Sequence, residues 1–112
     1  MIPQVRPAEF DDWLQAQGGA RPLLLDVREP WEVQTARVAP GAFDVVAIPM
    51  NQIPARLAEL PQDRPIACLC HHGARSQRVA LFLAQQGLVG VANVAGGIDA
   101  WSRERDPGIP IY

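Results

Sequence analysis

Strand, loop and helix follow one another in Pro65-Ile66-Ala67-Cys68-Leu69-Cys70-His71-His72-Gly73-Ala74-Arg75-Ser76. The stretch starts as an apolar run of strand length, and residues 77–86, which come directly after it, have the pattern of a helix. Cys70 therefore stands where a strand ends and faces the unpaired N–H groups and the positive dipole end of the next helix. Both stabilise a thiolate, so this position favours a nucleophilic cysteine.

Three more residues of the loop favour anion binding. Gly73 lets the backbone turn without a Cβ clash, so that successive N–H groups can point inward. Arg75 adds a permanent positive charge with a planar set of donors suited to oxyanions. Ser76 is suited to the cap or first turn of the helix that follows. The stretch thus predicts a nucleophilic sulfur inside an anion-binding loop.

Residues 70–76 resemble the active-site loop of rhodanese-type sulfurtransferases, whose pattern is close to Cys-x-x-Gly-x-Arg-Ser. Two more segments resemble the family in the same order. They are Leu24-Leu25-Asp26-Val27-Arg28-Glu29-Pro30 before the loop and Gly96-Gly97-Ile98-Asp99-Ala100-Trp101 after it. The three matches span most of the chain, which makes the resemblance specific.

The resemblance implies a sulfurtransferase that carries sulfur as a persulfide on Cys70. Its thiolate would take the outer sulfur of thiosulfate, or of a similar small anionic donor, and pass it to cyanide or a thiol. Thioredoxin or a sulfur-carrier protein are candidate acceptors, and no cofactor is implied. The loop residues expected to bind substrate are His71, His72, Gly73, Ala74, Arg75 and Ser76. Asp26 and Arg28 correspond to positions that brace the active-site loop in the family.

The composition describes one domain, residues 1–112, large enough for a single hydrophobic core. The net charge of −2 gives no reason to expect nucleic acid or an anionic membrane as a partner. If both cysteines lay on one strand, their Cα atoms would be about 7 Å apart, the limit for a disulfide. That spacing suits a reducing compartment, and no apolar run resembles a signal peptide or a membrane span. We therefore expect a cytoplasmic protein.

Short apolar runs alternate with helical patterns along the chain. Strands are predicted at 22–27, 45–48, 66–69 and 88–94, with a very short one at 4–5. Helices are predicted after Pro7 and Pro30, over 50–60, after the loop, and after Gly96-Gly97. The alternation predicts a three-layer α/β domain with a central, mostly parallel sheet of about five strands flanked by helices, as in rhodanese-like proteins. Trp13, Trp101 and Cys68 are predicted to pack in the core, whereas the tail at 106–110 shows no chemistry.

Residues 37–49 depart from the family pattern. The segment is several residues longer than in relatives, and Arg37 stands roughly where they have a histidine. In the family this segment commonly forms a wall near the active site. The shape of the pocket and the size of the substrate are therefore left open.

A cysteine–arginine loop also suits two other functions. Cysteine phosphatases and arsenate reductases use a similar cradle with one residue more between cysteine and arginine, wide enough for a tetrahedral phosphate. The four intervening residues here should be too tight, and no aspartate is evidently placed as a general acid. A non-catalytic binding module is the other alternative, since a fold does not dictate a function. Retention of both Cys70 and Arg75 argues against it.

His71 and His72 allow two sharper interpretations. Partly protonated imidazoles would favour the Cys70 thiolate and attract anionic donors, although both side chains could also merely rim the pocket. A metal site is the second interpretation. We expect none, because adjacent residues in a tight loop do not easily converge on one ion and the sequence shows no further ligand cluster.

Overall fold

A computed structural model describes all 112 residues, Met1–Tyr112, and has a five-stranded sheet at its centre. The strands are β1 (Gln4–Val5), β2 (Leu23–Asp26), β3 (Asp44–Ala47), β4 (Ile66–Leu69) and β5 (Val91–Val94). They lie in the order β1-β5-β4-β2-β3, and every pairing is parallel. Every residue of β2, β4 and β5 is buried, which explains their nearly continuous apolar sequences.

Helices cover both faces of this sheet and produce the predicted three-layer α/β domain. The α-helices are α1 (Phe10–Gln15), α2 (Pro30–Thr35), α3 (Ala74–Gln85) and α4 (Gly97–Glu104), and Pro7–Glu9 is a 3₁₀ turn before α1. One core cluster joins β2 and β4 to Val79, Ala80 and Leu83 of α3. The second core cluster packs the opposite face against Phe10 of α1 and Trp101 of α4.

The core contains the residues that were predicted for it. Trp101 is buried with its ring centroid 4.8 Å from that of Phe10, and Trp13 packs at the edge of the same cluster. Cys68 is fully buried in the other cluster, and burial raises the pKa of its thiol to about 12. It therefore stays protonated near neutral pH and packs as a small apolar side chain. No helix combines the length and apolar character needed to cross a bilayer.

The predicted helix over 50–60 is wrong. The chain forms two 3₁₀ helices instead, Met50–Gln52 and Leu57–Glu59, separated by turns. Pro54 lies between them, and its missing N–H removes a hydrogen bond that a continuous helix needs. Ile53 and Leu60 still face the core, so the apolar spacing was read correctly and the helix type was not.

The unusual segment 37–49 lies largely away from Cys70. Asp44, at the start of β3, binds Arg21 and Arg64, which precede β2 and β4. That edge of the sheet carries the amino ends of the strands, whereas Cys70 follows the carboxyl end of β4. The residues of this segment that precede β3 therefore lie at the opposite edge of the sheet from the Cys70 loop, whereas Ile48, which follows β3, packs in the same core cluster as Cys70.

Candidate functional site

Cys70 is the first residue after β4, and its loop is fixed to the start of α4 by main-chain hydrogen bonds. The N–H of Ile98 donates to the Cys70 carbonyl oxygen at 2.9 Å, and the N–H of Asp99 donates to that of His71 at 3.1 Å. Gly97 allows this close approach, because a Cβ there would lie 2.3 Å from the His71 carbonyl oxygen. With the carbonyl groups bound to α4, the loop keeps its N–H groups for its other side.

The Cys70 sulfur accepts hydrogen bonds from within its own loop. The N–H of Gly73 donates to Sγ at 3.0 Å, from a residue with φ of 109°, a conformation that favours glycine. Gly73 also precedes α3, so the sulfur lies at the amino end of that helix. The other N–H groups between His71 and Ser76 have no acceptor within the chain, as expected for the first turn of a helix. The loop therefore has N–H donors that are free to bind a ligand.

Ser76 connects the sulfur to a buried polar network. Its hydroxyl lies 3.2 Å from Cys70 Sγ and 2.6 Å from Asn93 Oδ1 on β5. The Asn93 amide group in turn donates to the Gly73 carbonyl oxygen and to Gln4 of β1. Since the hydroxyl has one proton, it can donate to the sulfur or to Asn93, but not to both at once. By rotating its hydroxyl proton, Ser76 can therefore donate either to the Cys70 sulfur or to Asn93 Oδ1.

Arg75 is held by a carboxylate from α2. Its two terminal nitrogens donate to the two carboxylate oxygens of Glu32 at 2.7 and 2.8 Å. Glu32 is buried and also accepts a hydrogen bond from the Tyr112 hydroxyl at 2.7 Å. The remaining three of the five guanidinium N–H groups have no acceptor in the chain. The guanidinium group of Arg75 is thus fixed beside the loop, and its remaining N–H groups are free to bind a ligand.

Burial and the contacts among Glu32, Arg75 and Tyr112 shift the pKa values of these three side chains. The hydrogen bond from Arg75 holds the pKa of Glu32 at about 2, with the Tyr112 hydroxyl adding to the effect against the opposing influence of burial. The pKa of Arg75 is raised by the same hydrogen bond. Burial raises the pKa of Tyr112 to about 12. At neutral pH the site therefore contains a carboxylate, a guanidinium and a neutral phenol.

Asp26 and Arg28 form a second, fully buried ion pair. Two guanidinium nitrogens of Arg28 bind the Asp26 carboxylate at 2.9 and 2.6 Å. The other contacts of Arg28 go to the carbonyl oxygens of Glu32 and Ala36 and to the Tyr112 hydroxyl. The pair therefore fixes α2 and the tail directly. It reaches the Cys70 loop through Glu32 and Arg75 and through Tyr112, which contacts His71.

A sequence model of the rhodanese-like domain matches residues 7–104, which include every element from the first 3₁₀ turn to the end of α4. The chain belongs to the rhodanese-like domain family. A protein named sulfurtransferase from Allochromatium vinosum is 40% identical over 89 residues, 80% of this chain and 77% of that protein. The crystal structure of a rhodanese-related protein from Thermoplasma volcanium has a TM-score of 0.78 and 28% identity, and the match covers 98% of this chain and 99% of that one.

Other relatives carry this rhodanese-like domain within longer chains. The rhodanese-like/PpiC domain-containing protein 12 of Arabidopsis thaliana is 41% identical over 93 residues, 80% of this chain but only 30% of that protein. The family and the fold are thereby established for this chain.

The two histidines of this rhodanese-like domain occupy different environments. The His71 ring stacks on the Tyr112 ring with centroids 3.9 Å apart, and its Nε2 lies 2.8 Å from the Tyr112 main-chain oxygen. His72 is exposed and stacks on the outer side of His71, and Ala74 is also exposed. Tyr112, which follows the tail at 106–110, thus packs against the Cys70 loop.

Three residues that contact the loop or its arginine were not predicted from the sequence: Glu32, Asn93 and Tyr112. Glu32 lies in the first turn of α2, where an acidic residue already has a local role beside the positive end of the helix dipole. Asn93 could have been noticed, because a polar residue inside a fully buried strand requires partners. Tyr112 gave no signal, since nothing in the local pattern shows which loop a tail will contact.

Proposed function

We propose that this rhodanese-like domain is a thiosulfate sulfurtransferase that works through a persulfide on Cys70. The observation that carries the proposal is the sulfur's position: it accepts the Gly73 N–H at the amino end of α3, beside the unpaired N–H groups of the loop. Such a setting places N–H donors and the positive dipole end of a helix beside the nucleophilic sulfur. It also offers donors to the negative charge that a persulfide places on its outer sulfur.

The reaction consists of two displacements at sulfur. The Cys70 thiolate attacks the outer sulfur of thiosulfate, a new S–S bond forms, and sulfite leaves with the electron pair of the old one. The enzyme then carries a Cys70 persulfide anion. Cyanide or a thiolate attacks its outer sulfur, and the Cys70 thiolate leaves with the electron pair. No external oxidant or reductant is needed with cyanide.

The substrate-binding roles fall to the loop and to Arg75. The backbone N–H groups of residues 71–76 would hold the outer sulfur and the leaving sulfite. The free N–H groups of Arg75 would bind sulfonate oxygens, while Glu32 holds the guanidinium group in place. Asp26 and Arg28 would act by positioning α2. Cys70 is only 1% exposed, which favours a small donor such as thiosulfate over a bulky one.

Phosphatase or arsenate reductase chemistry is less well supported. It needs a protonated acid for the leaving group. Glu32, the carboxyl group joined to the loop through Arg75, is ionised near neutral pH because its pKa is about 2. The Asp26 carboxylate is occupied by Arg28. Neither group is suited to donate a proton.

For the cellular setting we propose a cytoplasmic protein whose acceptor is a thiol, from thioredoxin or a sulfur-carrier protein. Both cysteines are free, and Cys70 must stay reduced to act as a nucleophile.

The test is the intact mass after incubation with thiosulfate, followed by thiocyanate release on adding cyanide. We expect a gain of one sulfur atom (about 32 Da) that cyanide removes. Cys70→Ser should gain nothing, whereas the matched control Cys68→Ala should behave as wild type. No gain together with turnover of a phosphate or arsenate substrate would favour the phosphatase alternative. No gain and no turnover would favour a binding module.

A further inference from the structure

Both histidines of the chain lie beside a carboxylate from α4. One nitrogen of His71, one nitrogen of His72 and one carboxylate oxygen of Asp99 all lie within 4.8 Å of one another. The sequence shows no third metal ligand beside the two histidines, because Asp99 is remote from the loop along the chain. The fold brings it there, and the third ligand that the sequence did not show is present.

The backbone holds Asp99 in this place. Its own N–H donates to the His71 carbonyl oxygen at 3.1 Å, and the preceding Ile98 N–H donates to Cys70 at 2.9 Å. Asp99 also lies in the first turn of α4, which packs into the core through Ile98 and Trp101. The carboxylate is thus fixed relative to the histidine loop by secondary structure. Precise sites are built in this way.

His71 already has the second partner that metal-bound histidines usually have. The Tyr112 main-chain oxygen, 2.8 Å from Nε2, can only accept a hydrogen bond, so Nε2 carries the proton. The neutral ring then has its lone pair on Nδ1. Metal-binding histidines commonly donate their other N–H to a carbonyl oxygen, which fixes the tautomer and the ring orientation. Stacking on Tyr112, at an interplanar angle of 4°, further restrains this ring.

We propose that His71, His72 and Asp99 form a binding site for a divalent transition-metal ion of the Zn²⁺ type at the rim of the Cys70 loop. Two imidazoles and one carboxylate are a ligand set that suits zinc and its neighbours and does not suit magnesium or calcium. Three protein ligands leave at least one coordination position for water or an external anion. The proposal concerns metal binding and holds whether or not Cys70 transfers sulfur.

Modest side-chain movement completes the geometry. Ligand atoms around a tetrahedral zinc ion lie about 3.3 Å apart, given metal–ligand distances of about 2 Å. The present separations must therefore shrink by up to about 1.5 Å. His72 is exposed and free to rotate, so it can supply most of this movement. Asp99 has to leave Arg103, and that pair is exposed on the Arg103 side and weak as a consequence.

The test measures metal binding in a Cys70→Ser background, which removes the thiol of the same loop as a competing zinc ligand. Calorimetric titration with Zn²⁺ should show one ion per chain, and Co²⁺ should give the visible absorption of a low-symmetry site. His72→Ala and Asp99→Asn should each weaken binding about tenfold or more. Arg103→Gln should strengthen binding, because it frees the Asp99 carboxylate.

Asp63→Asn is the matched control, since Asp63 is an exposed carboxylate in the loop before β4 that makes no ion pair. It should bind Zn²⁺ like its Cys70→Ser parent. The proposal is overturned if that parent binds neither ion, or if binding survives His72→Ala and Asp99→Asn unchanged. Circular dichroism of each variant verifies the fold, and His72 and Asp99 lie outside the two core clusters.

Discussion

Replacing Glu32 by Gln should destabilise the domain through the loss of one charge. The variant keeps the size of the side chain but removes the carboxylate that Arg75 and the Tyr112 hydroxyl bind. Folding lowers the pKa of Glu32 from 4.5 to about 2. At about 1.4 kcal/mol per pKa unit, this corresponds to about 3 kcal/mol of stability at neutral pH. In a domain of this size, the melting temperature should fall by on the order of 10 °C.

The pH dependence of this loss has a definite sign. Because folding depresses the pKa of Glu32, its contribution is complete above the unfolded value of 4.5 and disappears as the pH falls towards about 2. Urea denaturation of wild type and Glu32→Gln should therefore show the largest difference near neutral pH. The difference in unfolding free energy should shrink through the acidic range, as wild-type Glu32 becomes protonated too.

Glu59→Gln is the matched control for this experiment. Glu59 also binds an arginine through both carboxylate oxygens, at 2.8 and 2.9 Å from Arg56, but the pair is exposed. Exposed pairs contribute little, so this variant should melt close to wild type. The reasoning is refuted if Glu32→Gln is as stable as wild type near neutral pH. It is equally refuted if the difference does not change with pH.

Three more substitutions follow from the structure. Arg75→Ala should raise the apparent KM for thiosulfate about tenfold, because it removes a charged hydrogen-bond donor. Arg78→Ala, which changes an exposed arginine, should leave the KM unchanged in the same steady-state assay. Equal KM values for the two variants would contradict the role of Arg75. Asp26→Ala leaves Arg28 buried without its counter-ion and should cost about 3–5 kcal/mol in chemical denaturation, and a loss below 1 kcal/mol would contradict the assignment. Gly97→Ala should lower the melting temperature far more than Gly87→Ala. Both have positive φ, but only at Gly97 does a new Cβ meet backbone, 2.3 Å from His71, so equal losses would show that the contact with α4 is unimportant.

The strands and the nucleophile were predictable because their signals are local. Residues 66–69 sit in the middle of a parallel sheet, where burial on both faces requires an uninterrupted apolar run. Cys70 then follows a strand and precedes a helix, which places it at the carboxyl edge of the sheet. Gly87, two residues after the last residue of α3, has a φ of 95°, and glycine at such a position is a local signal for the end of a helix.

The failures concern features that depend on long-range contacts or on a choice between similar helices. The spacing of Ile53 and Leu60 fits α-helical and 3₁₀ turns equally well, and only the position of Pro54 between them favoured the latter. The partner of Arg75 was not predictable, because Glu32 lies on another helix and the acidic first turn of α2 already had a local explanation. The same holds for Asp99 and Tyr112, whose contacts with the loop arise from tertiary packing alone.

The attachment of the Cys70 loop to α4 has a consequence for biosynthesis. Because Ile98 and Asp99 lie downstream of Cys70, the ribosome releases the cysteine before the residues that fix its loop. β5, which supplies Asn93, also emerges later. A nascent chain therefore carries the Cys70 thiol without these contacts until α4 has formed and docked.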